Sequence, residues 1–381
     1  MEEEIQQHTL VIDNGSSTIK AGFAGEDAPR ACFDTLLGWP RHPGVGGVML
    51  GAPKDNYVGQ SAQENRGLLS IKNPIQNGKI TDWEDMEKVW HHTVYCELVV
   101  APEEHPVLMT ELAATSRPDK EKIAKMMFEV FNVPALLIAN QAVMSLYATG
   151  RTTGCVLDSG AGQTHCTPIW EGYALPHNLR PFPVAGNDIT DHLIKVLREE
   201  GYPFSTRADR DAVDRMKETV MYVCENYAEE VAQAAVKTSY EREFKMPDGA
   251  SIVFSQNRFA IPETMFNPAM ISPSHADVPG IHKLMYNCVQ SCDADLRREL
   301  LGNLVLAGGN TLFPKLEERL QREVMALAGK GATTKVVAFP ERKYACWIGG
   351  SLLASLHTFP CMWVSKLEYD EYGVAIIHRK C

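Results

Sequence analysis

Residues 153–167 read TGCVLDSGAGQTHCT, from Thr153 to Thr167. Cys155, Val156 and Leu157 form a short apolar run bounded by turn formers, the pattern of a buried strand. Asp158 stands where that strand leaves the core. Gly160 and Gly162 let the backbone turn sharply and aim N–H groups at an anion. The same order recurs near the start of the chain, with Leu10, Val11 and Ile12 followed by Asp13, Asn14, Gly15, Ser16, Ser17 and Thr18. Either copy alone also fits an ordinary hairpin, because Asp-x-Gly is a common turn signal. Together they predict two acidic-tipped hairpins that face each other across a cleft and grip one polyphosphate.

A chain of 381 residues has room for two domains with sizeable cores. Its net charge of −11 argues against a nucleic-acid partner, which wants a basic face, and suits basic protein partners. The acidic start MEEEIQQH lacks the apolar core of a secretory signal, and no stretch of about 18 apolar residues offers a membrane span. The ten cysteines follow no disulfide or zinc-finger rhythm, so a reducing, cytoplasmic compartment is expected. Cys288 and Cys292 lie four apart in a helical pattern. They could share a metal, but two buried thiols on one apolar face is the simpler account.

Strand and helix patterns alternate along the chain, which argues for an α/β layered fold. Strands are expected at Leu10–Ile12, Ile19–Phe23, Val107–Met109, Pro134–Ile138, Cys166–Trp170 and Leu304–Leu306. Helices are expected at Trp83–Tyr95, Lys120–Phe131, Gln141–Tyr147, Ile189–Leu197, Asp211–Tyr227, Ile281–Cys292 and Pro314–Leu327. Gly38–Gly51 reads as an exposed mobile loop on a small insertion, and Asn267–Pro279 as a proline-broken loop. The Ala307-Gly308-Gly309-Asn310-Thr311 turn before a helix could receive an anion or a nucleoside edge. It matches neither the Walker loop nor the Rossmann fingerprint.

Long stretches of the sequence resemble the actin family in order. They include VIDNGSSTIKAGFAGEDAPR, YVGQSAQENRGLLSIKNPI, DWEDMEKVWHHTVY, VAPEEHPVLMTE, QAVMSLYATGRTTG, WEGYALPH, MPDG, PERKYACWIGGSLLASLHTF and the final HRKC. The resemblance implies an actin-like α/β fold, of the hexokinase and chaperone-type ATPase kind, with two duplicated lobes and a nucleotide cleft between them. The first lobe is expected at 1–148 plus 345–381, with an insertion at about 35–73. The second is expected at 149–344, with an insertion at about 185–275.

Carried over position by position, the resemblance assigns phosphate contacts to Ser16, Ser17, Thr18 and Lys20, and to Asp158, Gly160, Ala161, Gly162 and Gln163. It places Asp13 and Asp158 around Mg²⁺ (or Ca²⁺) through water, since magnesium keeps much of its hydration. Gly186, Lys217, Glu218, Gly309, Asn310, Phe313 and Lys343 would surround the nucleoside of ATP or ADP. Gln141 and His165 would orient the attacking water, a role that suits in-line hydrolysis, where positioning and charge neutralisation dominate.

Departures from the family pattern carry expectations of their own. Ala161 replaces an aspartate that helps organise the metal's water shell, so hydrolysis should be slow. Ser17 replaces a glycine beside the phosphates. Asn77 replaces a histidine that is often methylated, which removes that modification. The subunit-docking loop matching Arg41–Asp55 is longer and reads PGVGG, and the plug segment Asn267–Pro279 is longer and more polar. Both bear on polymerisation. A groove for amphipathic helices is expected at Tyr147, Gly150, Thr152, Tyr173, Leu353, Leu356, Thr358 and Met362. Glu103, Glu104 and the acidic start match surfaces that meet basic partners.

The resulting expectation is an ATP-binding, cytoplasmic, cytoskeletal protein that joins actin-type filaments and is at most a weak ATPase. Its partners would be itself, other actin subunits and actin-binding proteins. The alternative is a non-polymerising actin-related scaffold or complex subunit. A sugar kinase of the same superfamily is the weakest reading, because no sequence feature supplies a sugar site.

Overall fold

The computed structural model of the chain describes residues 8–41, 56–112, 115–246, 249–329 and 331–380. Most of the loops read at Gly38–Gly51 and Arg41–Asp55 lie outside the described residues, as do Pro247, Asp248, most of the acidic start and Cys381. The chain divides into two compact units, Met1–Arg151 with Tyr344–Cys381, and Thr152–Lys343. Among the described residues no helix is long and apolar enough to cross a membrane.

In the first unit three strands set the frame: β1 (Leu10–Asn14), β2 (Thr18–Phe23) and β3 (Val107–Glu111). β1 is central, antiparallel to β2 and parallel to β3, with Asp13 beside both Lys20 and Thr110. Strands Ala31–Asp34, Ala135–Asn140 and Val364–Ser365 complete a six-stranded mixed sheet. Leu10, Val11 and Ile12 are all buried, because the sheet is covered on both faces and its central strands read as unbroken apolar runs. The helix Ala345–Ala354 packs on the helix Gln141–Tyr147, and its Trp347 Nε1 donates to the Val11 carbonyl at 3.0 Å.

The second unit repeats the plan with β4 (Gly154–Ser159), β5 (Thr164–Trp170) and β6 (Leu304–Ala307). β4 is antiparallel to β5 and parallel to β6, so Asp158 has His165 on one side and Ala307 on the other. The duplication seen as two similar hairpins therefore extends to a third strand in each unit. Short strands Tyr173–Ala174, Arg180–Phe182 and Val336–Val337 finish the sheet.

Two expected elements differ. Gly38–Pro40, read as the start of an exposed loop, belongs to the strand Leu37–Pro40, in which Leu37 and Gly38 are buried. The long helix read at Asp211–Tyr227 is two helices, Arg207–Val220 and Tyr227–Ala234, with extended chain from Met221 onward. The Tyr222 and Val223 amides donate to the carbonyls of Arg258 (3.0 Å) and Pro314 (2.9 Å) instead of to their own helix, and Arg258 Nε caps the Val220 carbonyl at 3.1 Å. The helices begun at Trp83 and Arg117 each end in π-helical turns, His92–Leu98 and Met126–Val130. Asn267–Pro279 contains two short 3-10 turns, each opened by a proline, at Pro268–Met270 and Pro273–His275.

Candidate functional site

At the end of β1, Asp13 is buried in a set of donors. Lys20 Nζ lies 3.0 Å from Oδ2, while Thr110 Oγ1 (2.6 Å) and Gln141 Nε2 (3.1 Å) both donate to Oδ1. β2 supplies the lysine, β3 the threonine and the start of the helix Gln141–Tyr147 the glutamine. Burial on its own would raise the Asp13 carboxyl. The charge of Lys20 and the hydrogen bonds from Thr110 and Lys20 outweigh it and hold the pKa below the usual carboxylate value. Burial likewise works against the Lys20 ammonium, and Asp13 more than restores it, so both groups stay charged. Gln141 also approaches Thr110 Oγ1 at 3.4 Å. Its amide is thus oriented by the same cluster that fixes Asp13.

The β1–β2 turn is braced from outside. Thr35 Oγ1 donates to the Gly15 carbonyl at 2.9 Å, and the Thr35 amide to the Ser17 carbonyl at 2.8 Å. Asn73 Nδ2 donates to the Ser16 carbonyl at 2.6 Å, and the Gly78 amide to Ser16 Oγ at 2.9 Å. Gly78 is presented by a tight turn in which Asn77 (φ 47°) and Gly78 (φ 70°) both have positive φ. Asn-Gly is the pair such a turn favours, since asparagine tolerates the left-handed region. Asn77, noted above for the histidine it replaces, therefore shapes the contact that holds Ser16. Ser17 is exposed at the tip.

In the second unit the tip Gly160–Gln163 closes with the Gly160 amide donating to the Gln163 carbonyl at 2.9 Å. The start of the helix Gly186–Glu199 lies against it, with the Gly186 and Asn187 amides donating to the carbonyls of Gly160 (3.0 Å) and Ala161 (2.8 Å). A buried hydroxyl chain runs beneath, in which Ser159 Oγ meets Thr164 Oγ1 at 2.7 Å and accepts from Asn310 Nδ2 at 2.9 Å. His165, beside Asp158 in the ladder, has its pKa lowered by burial, so its ring is neutral near pH 7.

Of the residues assigned to the nucleoside, Gly186, Lys217, Gly309, Asn310, Phe313 and Lys343 belong to this unit, as does the exposed Glu218. Lys217 is held by three hydrogen bonds. Its ammonium donates to the Gly186 carbonyl (3.0 Å), Thr190 Oγ1 (2.6 Å) and Asp214 Oδ1 (2.9 Å). All three of its hydrogens are spent inside the unit, where they tie Gly186 to the helix Arg207–Val220. The Gly308–Thr311 turn is held by the Gly308 amide on the Arg342 carbonyl (3.1 Å) and by Arg342 Nη2 on the Thr311 carbonyl (2.9 Å).

Sequence reading missed Thr110, Thr35, Asn73, Asp214 and Arg342. Thr110 alone carried a signal, as a polar residue at the end of the apolar strand VLMTE. Thr35, Asn73 and Arg342 act on backbone carbonyls distant in sequence, and Asp214 meets Lys217 one turn away on its own helix as well as Thr190 on another.

The residues fit a phosphate-bearing ligand with a divalent cation. Each unit carries a carboxylate at a strand end beside a glycine turn, a ligand type that suits hydrated magnesium or calcium. The Asn310 side-chain oxygen is buried with no partner among the described residues, 3.6 Å from where a side chain at Gly186 would begin.

Of the expected groove residues, Tyr147, Gly150, Leu353, Leu356, Thr358 and Met362 lie in the first unit, and Thr152 and Tyr173 in the second. Leu356, Met362 and Tyr173 are exposed, and Leu353 is buried. A family model for actin matches residues 4–381, nearly the whole chain. With a duplicated strand plan that carries an aspartate at the same place in each unit, the chain belongs to the actin family.

Proposed function

We propose that this protein binds ATP with Mg²⁺ or Ca²⁺, hydrolyses it slowly and assembles with actin-type subunits. The observation that carries the reading is the repeated placement of Asp13 and Asp158, each at the end of a central strand next to a glycine-bearing turn. In this reading Ser16, Ser17, Thr18 and Lys20 meet the phosphates from one unit. Asp158, Gly160, Ala161, Gly162 and Gln163 meet them from the other. Gln141 and His165 orient the attacking water. Gln141 is aimed by Asp13 and Thr110, and His165, kept neutral by burial, is free of the charge that would stop its ring accepting a proton from water. Lys217 borders the nucleoside and also fixes Gly186.

Ala161 sits at the β4–β5 tip, its carbonyl held by Asn187. A carboxylate there would add a hydrogen bond to the cation's water shell. Its loss is worth about 1.5–3 kcal/mol for a charged partner, which is roughly ten- to hundredfold in rate. Ala161→Asp should accelerate phosphate release from the purified chain by that factor; an unchanged rate counts against the assignment. Nucleotide content after purification and a melting shift on adding Mg-ATP test the binding itself. A protein that comes out empty and whose melt ignores ATP overturns the reading.

Sedimentation with Mg-ATP and salt tests assembly, with pelleting above a critical concentration expected. The two proline-opened turns at Pro268–Met270 and Pro273–His275, with Ser272, Ser274 and Asp277, favour the second reading of a non-polymerising subunit, which failure to pellet would support. Exposed Leu352, Leu356 and Met362 are apolar side chains of the kind an amphipathic helix of an actin-binding protein covers.

A further inference from the structure

Three cysteines far apart in sequence meet behind the second hairpin. Cys155 is on β4, Cys166 on β5 and Cys288 on the helix Ile281–Gln290. Cys155 Sγ lies 3.3 Å from Cys166 Sγ and 3.9 Å from Cys288 Sγ, and all three sulfurs fall within 4.8 Å of one another. All three residues are completely buried. Three thiolates each bound at about 2.3 Å to one zinc ion in a plane would stand roughly 4 Å apart, close to the separations found. Cys288 and Cys292 are both buried, as two thiols on one apolar face would be, and folding also brings Cys288 to the two hairpin strands.

We propose that Cys155, Cys166 and Cys288 form a structural zinc site that pins the base of the β4–β5 hairpin to the helix Ile281–Gln290. Binding exchanges three S–H bonds for three Zn–S bonds and releases three protons to solvent, with no change of oxidation state. Soft thiolates select zinc or copper(I) over magnesium and calcium. Charge favours the divalent ion. Three thiolates and Zn²⁺ leave one negative charge, and Arg180 stands directly opposite Cys166 in the strand ladder, on the same face of the sheet. A monovalent ion would leave two charges for that one arginine. The carbonyls of Asn178 and Cys166, at 3.3 and 3.6 Å from Cys288 Sγ, supply a neutral oxygen for the fourth position.

The rival account is three thiols packed as small apolar side chains, and it predicts no metal. The site lies three residues before Asp158 on β4 and next to His165 on β5. It would therefore stiffen the hairpin without touching a nucleotide.

The test uses the full chain, reduced, with exposed Cys32, Cys96 and Cys361 changed to serine. Cobalt(II) is the probe, because thiolate ligation gives a near-ultraviolet charge-transfer band that oxygen ligands at a nucleotide site do not. One cobalt per chain with that band is expected, displaced by zinc, indifferent to ATP and lost in Cys166→Val and Cys288→Ala. Zinc addition in weak buffer should release three protons per chain and raise the melting temperature. Should the core variants fail to fold, alkylation mapped by mass spectrometry on the unmutated cluster decides, with zinc expected to protect those three thiols together in partial denaturant. A band that survives the variants, no metal retained through gel filtration, unprotected thiols, or a Cys155–Cys166 disulfide in the native protein each overturns the proposal.

Discussion

Gly308 and Gly309 are neighbours, yet alanine should be costly at the first and nearly neutral at the second. Gly308 follows β6 with φ 87° and ψ 152°, a region that only glycine occupies without strain. A Cβ built there would stand 2.2 Å from the Ser159 carbonyl oxygen and 2.7 Å from Asp158 Oδ1. The first is backbone of the central strand and cannot swing aside. Backbone strain costs about 1–3 kcal/mol, and forcing apart a packed contact a further ~1–3 kcal/mol, so Gly308→Ala should lose about 2–6 kcal/mol. Gly309 has ordinary φ, and its nearest neighbour for a new Cβ is Lys343 Cγ at 3.7 Å, an ordinary contact. Gly309→Ala should change stability by under ~0.5 kcal/mol. Urea unfolding followed by fluorescence compares the two, read as shifts in midpoint because a two-unit chain need not unfold in one step. The Gly308 variant should also bind ATP more weakly, since Asp158 must move. Equal midpoints for the two variants would refute the close approach of β4 and β6 from which the argument starts.

Asp13→Asn leaves the Lys20 ammonium buried without its counter-charge and should cost about 3–5 kcal/mol, while the double change Asp13→Asn with Lys20→Met recovers most of it; chemical denaturation of the unchanged protein, the two single variants and the double variant checks the coupling. Thr110→Val removes the 2.6 Å hydrogen bond to a charged carboxylate and should cost about 1.5–3 kcal/mol, with Thr110→Ser keeping most of the stability. Burial lowers the pKa of His192 and His282, and the Nδ1 atom of each has no partner among the described residues. The unfolded chain therefore binds protons more readily in this range. The stability these rings confer is complete above the ordinary histidine value of about 6.5 and is lost as pH falls through the lowered value. Melting temperature should drop on acidification below neutrality, and less so in His282→Gln, which keeps the ring's place beside Phe266 but cannot titrate.

What could be read in advance was local and periodic. β1 and β4 are apolar runs that stop at an aspartate, and burial on both faces of a sheet leaves that mark on any sequence. The helix Ile281–Gln290 showed its apolar stripe, and that stripe faces the core through Ile281, Leu284, Met285, Cys288 and Val289. The acidic hairpin tips were legible for the same reason. Their support was not. Thr35, Asn73 and Arg342 act on carbonyls of residues 17 to 57 positions away in sequence, and a carbonyl carries no residue identity. The hydrogen bonds of Lys217 to Gly186 and Thr190 were hidden for the same reason, since those acceptors became its neighbours only when two helices packed, whereas Asp214 lies one turn before it on its own helix.

The break at Met221 shows why periodicity can mislead. Residues 211–227 keep helical spacing, with Val213, Met216, Val220 and then Cys224 all buried. A helix continued past Val220 would satisfy the amides of Tyr222 and Val223 from within. The chain satisfies them from outside, on the Arg258 and Pro314 carbonyls, and so loses nothing in hydrogen bonds by leaving the helix. Arg258 completes the exchange by donating to the carbonyls of Val220 and Tyr240 while its guanidinium lies over the Tyr222 ring at 5.0 Å. Extended chain gains reach as well, because a residue advances about 3.3 Å in a strand and 1.5 Å in a helix. That reach carries Val223 and Cys224 to buried positions, where the Cys224 carbonyl accepts from the buried Arg319 at 2.8 Å. Tertiary partners, supplied by residues 258, 314 and 319, thus override a local pattern that was itself correctly read.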